Sequence, residues 1–285
     1  MFSKFNYSPS SFFYNSVLNK YLTTGTKLYN LHQQEVQNCL SEYISDDGII
    51  SGTDLKENWF SITPKHVFIS HSHKDLNKVK AFAGWLYENF KIEAFIDSCS
   101  WGYCDTLLNK IDNKYCYNSH TDTYSYNLRN YTTSHVHMML STALSEIMDK
   151  TECIIFFNTP NSINMSEELD NIKKSQQTAS PWIYHELLMT TMLRKNLFRN
   201  KNIVMEHRFS QLLENKSDFQ VHYDVTKIIN SMPELYDEQL QLWISKWDET
   251  SNTTVRGVDF SYNGSPSRSA EEALDLLYRI VFPKK

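Results

Sequence analysis

Residues 66–90 read HVFISHSHKDLNKVKAFAGWLYENF. The first five, from His66 to Ser70, form a short apolar run of the kind that becomes a buried strand. Asp75 has the residue type and position of a helix N-cap. Beyond it, apolar residues recur at helical spacing, at Val79, Phe82, Ala83, Leu86 and Phe90. The stretch therefore predicts a strand, a polar turn and an amphipathic helix in succession.

The same alternation continues towards the C-terminus. Further strands are predicted at 92–97, 153–157 and 202–205, and further helices at 104–115, 134–147 and 180–194. Alternating strands and helices of this kind predict a parallel sheet that is covered by helices on both faces. We therefore assign residues 65–206 to one α/β domain.

The flanks on either side have another pattern. Residues 1–64 are predicted to form a helical, then irregular, N-terminal extension, and residues 207–285 a helical C-terminal extension with a capping box at Ser269 and Glu272. Since no Gly-, Pro- or Ser-rich linker separates either flank from the centre, we expect both extensions to pack on the α/β domain.

Composition excludes several classes of protein. The net charge is −5, which disfavours nucleic-acid binding through a basic face. The seven glycines form neither a G-x-G nor a G-K-[ST] sequence, which excludes a glycine-rich phosphate loop. The chain has no long apolar run and no signal-peptide pattern, and its five cysteines form no C-x-x-C pair. These features predict a cytoplasmic protein that does not bind membranes.

Ligands of open α/β sheets bind at the carboxyl ends of the strands. Three polar segments are predicted to lie there, namely residues 70–75, residues 97–101 and the helix start at 180–186.

These segments resemble the TIR (Toll/interleukin-1 receptor) domain family. The matching features are residues 67–75 (VFISHSHKD), residues 94–97 (AFID) followed by Trp101, and the W-x-x-x-E spacing of Trp182 and Glu186. The resemblance covers residues 65–206, and the insert at 116–133 and both flanks depart from it. It implies a flavodoxin-like fold.

The resemblance also implies an activity. Many bacterial and plant members, and the animal NAD hydrolase of axon degeneration, cleave the N-glycosidic bond of NAD. Bacterial members of the Thoeris defence systems are similar in being compact TIR proteins, and they make an ADP-ribose-derived messenger that activates a separate effector. NAD is then a substrate, no resident cofactor is needed, and self-association through TIR contacts is expected.

The residues suit that chemistry. Nicotinamide leaves NAD⁺ as a neutral molecule, so the reaction needs no general acid, only stabilisation of an oxocarbenium-like ribose. Glu186 is the candidate catalytic carboxylate. The candidate substrate-binding residues are His71, Ser72, His73, Asp75, Asp97, Trp101 and Trp182.

Each of these residues also has a purely structural interpretation. Glu186 fits a solvated helix face, Asp75 a helix cap, Asp97 the end of a strand, and Trp101 a packing position. A metal site is not predicted, because His71-x-His73 and His135-x-His137 each lack a third ligand at a known spacing.

Two classes of function follow. The first is an NAD glycohydrolase or cyclase that signals in bacterial antiphage defence. The second is a non-catalytic TIR module that scaffolds an assembly, and a nucleoside transferase of related fold is a weaker third. The sequence leaves open whether the product is ADP-ribose, a cyclic isomer or a transfer adduct, because all three share one oxocarbenium intermediate.

The insert at 116–133 lacks periodicity and is rich in tyrosine. It is predicted to be an inserted loop, followed by a helix that Ser134 caps. Long loops are often functional, and we expect this one to form a partial lid that limits the access of water.

Overall fold

The computed structural model of the chain describes residues 3–42, 65–166, 175–193, 221–253 and 268–283. The strands in these residues are β1 (Ser3–Tyr7), β2 (Val67–His71), β3 (Ala94–Ile96), β4 (Tyr117–Asn118), β5 (Thr123–Tyr124), β6 (Cys153–Phe157), β7 (Asn164–Ser166), β8 (Ser175–Thr178), β9 (Tyr223–Asp224) and β10 (Glu234–Leu235). The α-helices are α1 (Ser11–Phe13), α2 (Leu22–Glu42), α3 (Leu76–Phe90), α4 (Ser98–Ile111), α5 (Tyr126–Lys150), α6 (Pro181–Met192), α7 (Thr226–Asn230), α8 (Asp237–Thr253) and α9 (Ala270–Val281).

Five parallel strands form the main sheet, in the order β10-β1-β6-β2-β3. The connections from β1 to β2 and from β2 to β3 run towards the β3 edge, and those from β3 to β6 and from β6 to β10 run back. Connections of one handedness that run in opposite directions place their helices on opposite faces. The mixed α/β class with a parallel sheet is therefore confirmed.

Alternate strand residues supply the two faces. Phe5, Val67 and Ile155 belong to the core cluster that includes residues of α3, α8 and α9. Phe68 and Ile154 belong to the cluster of α4 and α5, and Phe156 to that of α6 and α7. This is the pattern of strands covered on both sides.

The structure corrects the expectation that the N-terminal flank starts as a helical extension. Residues Ser3–Tyr7 form β1, which pairs with β6 from Ser3↔Cys153 to Tyr7↔Phe157. The sequence reading missed this strand because SKFNY contains polar residues at buried positions. They are hydrogen-bonded: the Lys4 ammonium donates to Thr190 Oγ1 at 3.3 Å, and Asn6 Nδ2 donates to Glu234 Oε1 at 2.7 Å.

The strand order also bears on the flavodoxin-like expectation. A flavodoxin-like sheet has the order 2-1-3-4-5. Counted from the β3 edge, β3, β2 and β6 match the first three places, but the fourth is taken by β1, the first strand of the chain. The predicted strand at 202–205 lies outside the described residues.

The prediction of an inserted loop at 116–133 is wrong. The structure places the short hairpin of β4 and β5 there, followed by the first turns of α5, which begins at Tyr126 rather than after Ser134. The Ser125 hydroxyl caps α5 by accepting from the Leu128 amide at 3.5 Å. Buried Asp112 anchors the segment, because it accepts hydrogen bonds from Arg129 Nε at 2.8 Å and Thr132 Oγ1 at 2.7 Å.

Two predicted helix starts are confirmed. The Ser180 hydroxyl accepts a hydrogen bond from the Ile183 amide, with Pro181 in the first turn of α6. The capping box of Ser269 and Glu272 begins α9.

Candidate functional site

The carboxyl ends of β2 and β3 and the first turns of α6 bring Ser70, His71, Asp97 and Glu186 together. Ser70 and His71 are the last residues of β2, Asp97 follows β3 directly, and Glu186 lies on α6 where that helix packs beside β2. All four side chains are buried. The parallel sheet thus gathers residues that are far apart in the sequence at one edge.

Glu186 is held by one of its two carboxyl oxygens. Ser70 Oγ donates a hydrogen bond of 2.5 Å to Glu186 Oε2. The other oxygen, Oε1, is buried and makes no hydrogen bond of good geometry among the described residues, and the Asp97 carboxyl is its charged neighbour. Burial first, and then the nearby Asp97 carboxylate, raise the pKa of Glu186 well above its usual range, although the bond from Ser70 acts in the opposite direction. In this conformation the surroundings of Glu186 therefore favour its protonated form.

His71, Asp97 and Ser98 form a connected chain. His71 Nδ1 lies 2.5 Å from Asp97 Oδ1, and His71 Nε2 lies 3.2 Å from Ser98 Oγ. The Nδ1 contact lacks the geometry of a hydrogen bond, whereas Nε2, when it carries no proton, accepts from the Ser98 hydroxyl. The order Ser98, His71, Asp97 is that of a serine nucleophile, its general base and the carboxylate that orients the base. All three side chains are buried, however, so Ser98 is closed to an external substrate here.

Asp75 occupies the N-cap position of α3, but its side chain makes no capping hydrogen bond, so the predicted capping role is wrong. The carboxylate accepts instead from Thr159 Oγ1 at 2.5 Å, from Asn161 Nδ2 at 3.0 Å and from Lys78 Nζ at 3.0 Å. Burial raises the pKa of Asp75, but these hydrogen bonds outweigh burial and keep it below the usual value. Asp75 thereby ties the loop after β6 to the start of α3.

The other predicted site residues do not join this cluster, and the side chain of one of them lies outside the described part of the chain. Ser72 is buried and its carbonyl accepts from the Asp75 amide, whereas the side chain of His73 is exposed. Trp182 is half-buried on α6, and its ring meets that of His137 on α5 edge to face, with 5.6 Å between centroids. The side chain of Trp101 lies outside the described residues.

A cleft of about 680 Å³ opens at the same edge of the sheet. It lies between two segments. One is residues 8–11, which form the loop after β1 and the first residue of α1, and the other is residues 158–164, which form the loop after β6 and the first residue of β7. Lys78 and Gln176 also line it, but Glu186 does not. The cleft is therefore beside the Glu186 cluster and is not the space in which Glu186 lies.

The sequence analysis placed Ser70 and Ser98 in polar segments at this edge without naming them as site residues, and it missed Thr159. Ser70 carried a usable signal, since it is a polar residue within an otherwise apolar strand, on the same face as Phe68. Ser98 had only its place in the segment 97–101 as a signal, and Thr159 had none, because a serine or threonine after a strand is common in loops.

No described helix is both long and apolar enough to cross a membrane. The described residues also contain no group of three or more His, Cys, Asp or Glu side chains arranged to hold a metal ion. Comparison of the chain with protein-family models, with curated proteins and with solved structures finds no match. The geometry and the resemblance of the motifs are therefore the grounds for a functional assignment.

Proposed function

We propose that the chain cleaves the bond between nicotinamide and ribose in NAD, with Glu186 as the catalytic carboxylate. The observation that carries the proposal is the position of Glu186 at the carboxyl edge of the sheet, where Ser70 holds Oε2 and the Asp97 carboxylate is the charged neighbour. A carboxyl group at this edge of the sheet, with Ser70 fixing one of its oxygens, is placed where ligands of open α/β sheets bind.

The chemistry suits a carboxyl group of this kind. Cleavage develops positive charge on the ribose, which a nearby carboxylate stabilises. Burial favours the neutral form of Glu186 in the closed site, whereas the positive charge of NAD⁺ beside it would favour the ionised form. Binding of the cationic substrate would therefore generate the carboxylate where it is needed.

Access is the second requirement. Glu186 is fully buried, so NAD reaches it only after the residues that cover it move. The proposed products are nicotinamide and an ADP-ribose-derived signal that acts in bacterial antiphage defence through a separate effector protein.

The test is the release of free nicotinamide from NAD⁺ by the purified chain, measured by chromatography. Glu186→Gln keeps the size of the side chain but cannot ionise, and we expect release to fall by about 100-fold or more. Glu249→Gln, at an exposed position of α8, serves as the control and should retain wild-type activity. Wild-type release by Glu186→Gln would overturn the role of Glu186.

The non-catalytic TIR module remains the second candidate, and the complete burial of Glu186 favours it. A scaffold needs no access to this side chain. The outcome that selects the scaffold is self-association of the wild type, together with no nicotinamide release at any concentration at which it assembles.

A further inference from the structure

We propose that the cleft between the loops after β1 and β6 is a separate binding site for a neutral, sugar-bearing ligand of nucleoside size. Nothing in this inference requires Glu186 to cleave NAD. It depends on the position of the cleft, on the charge of its lining and on one unpartnered acceptor in its wall.

The position is one where α/β sheets bind ligands. β1 and β6 are neighbours in the sheet, but the chain leaves β1 towards the face of α2 and α3 and leaves β6 towards the face of α6 and α7. The two loops therefore diverge and leave a crevice at the carboxyl ends of the strands. The volume of about 680 Å³ falls in the range of small-molecule sites.

The lining favours an uncharged ligand. Among the described residues that line the cleft, Lys78 alone carries a formal charge, and its ammonium lies 3.0 Å from Asp75 Oδ1. The polar groups that remain are hydroxyls and amides, including those of Ser11, Asn158 and Gln176. Such groups pair with sugar hydroxyls, whereas a phosphate would find no cation without a carboxylate beside it.

Gln176 supplies the acceptor. Its backbone is fixed on β8, because its amide donates to Thr226 Oγ1 at 2.8 Å and its carbonyl accepts from the Val225 amide at 2.9 Å. Its side-chain oxygen Oε1 is covered from solvent and has no hydrogen-bond partner among the described residues. The side chain as a whole is only half-buried and lines the cleft, and a rotation of its amide would bring this oxygen to a ligand hydroxyl that enters the cleft.

The test is isothermal titration calorimetry on the full chain with three probes: adenosine, free D-ribose and adenosine 5′-monophosphate. We expect adenosine to bind, ribose to bind more weakly because it fills less of the cleft, and the monophosphate to bind no more tightly than adenosine. Ribose binding as tight as that of adenosine would identify a free sugar, rather than a nucleoside, as the ligand and would overturn the nucleoside size. Absence of binding by both adenosine and ribose, or tenfold tighter binding of the monophosphate, would overturn the proposal.

Three variants test whether adenosine binds in the cleft. Ser11→Trp fills the cleft from an exposed helix position, and Gln176→Leu removes the acceptor; each should weaken adenosine binding by about tenfold or more. Ser16→Trp is the control, since Ser16 is exposed in the same helical segment and does not line the cleft. Equal weakening by Ser16→Trp, or loss of binding in Glu186→Gln, would show that the ligand binds elsewhere.

Discussion

At the scale of single residues, Glu186 shows how the same side chain can match a motif and yet have an unexpected environment. Its spacing from Trp182 matched the W-x-x-x-E pattern, and the structural alternative was a solvated helix face. The structure buries it completely, with Ser70 and Asp97 as neighbours. Trp182, one turn before it on the same helix face, meets the ring of His137 on α5, whereas Glu186 lies against β2.

The raised pKa of Glu186 predicts a pH-dependent stability. In the unfolded chain the carboxyl ionises near its ordinary pKa of 4.5, whereas in the folded chain it keeps its proton to higher pH. The contribution of this group to the free energy of unfolding is therefore complete below that ordinary pKa and is lost as the pH rises through the folded pKa.

Glu186→Gln removes this dependence, because glutamine resembles the protonated acid and does not titrate. We expect the variant to unfold at a higher temperature than the wild type at pH 8, and at a similar temperature at pH 4. Thermal denaturation followed by circular dichroism checks both values, with Glu249→Gln as the control. A variant less stable than the wild type at pH 8 would contradict a raised pKa for the buried Glu186.

Asp75 predicts the opposite dependence on pH. Its folded pKa is lowered, so its stabilising contribution is present above the unfolded pKa and is lost as the pH falls through the folded pKa. Asp75→Ala removes the acceptor for Thr159 and Asn161 and should cost about 1–3 kcal/mol at pH 7. Urea unfolding at pH 7 and at pH 3 measures this cost, and a loss of stability that is the same at both values would contradict it.

At the scale of elements, the close packing of α2 against α3 depends on two glycines. A Cβ atom built on Gly25 would lie 1.7 Å from the Lys80 carbonyl oxygen, and one on Gly84 would lie 2.3 Å from the Tyr21 carbonyl oxygen. The opposing atoms belong to the backbone, so no side-chain rotation relieves either clash.

Gly84→Ala therefore tests this contact. Alanine is favoured over glycine by about 1 kcal/mol in a helix interior, but overpacking against backbone costs about 1–3 kcal/mol or more. We expect net destabilisation in urea unfolding. Asn77→Ala, at an exposed position of α3, is the control and should be neutral or slightly stabilising. A Gly84→Ala variant as stable as this control would show that the helices separate without cost.

The tyrosine-rich insert also belongs to this scale. Its described contacts are with its own neighbours: Tyr117 with Asp122 and Tyr124, and Arg129 with Asp112. These contacts give the segment its own fold at the junction of α4 and α5. The lid remains a prediction, and shortening residues 117–131 would remove the first turns of α5 as well as the hairpin.

At the scale of the whole molecule, the N-terminal strand makes the flanks part of the sheet. β1 lies between β6 and β10 and pairs with β6 over five residues. Without it, β6 loses one of its two neighbours and β10 loses its attachment to the sheet. A fragment of residues 65–206 would therefore expose the edge of a strand that is buried on both faces.

We expect this fragment to fail to fold by itself. Circular dichroism and limited proteolysis of the fragment should show no cooperative unfolding and no protected core, in contrast to the full chain. A version that lacks only residues 284–285 is the control and should behave as the full chain does. A stable, cooperatively folding fragment would contradict the structural role of β1.

The sequence by itself determined the elements whose signals are local. The apolar runs of β2 and β6, the apolar face of α3, and the caps at Ser180 and Ser269 depend on neighbouring residues, so periodicity and capping chemistry suffice to find them. The carboxyl-edge location of Ser70–Asp75 and Asp97 followed from the parallel arrangement.

Only the tertiary structure decided the rest. SKFNY becomes a central strand because partners distant in sequence satisfy Lys4 and Asn6. Glu186 becomes a buried acid because α6 packs its carboxyl against Ser70 and near Asp97. Asp75 does not cap α3 but accepts hydrogen bonds from Thr159 and Asn161, because the loop that follows β6 packs against the start of α3. Burial and pKa depend on contacts between distant segments, and local sequence does not encode which segments will meet.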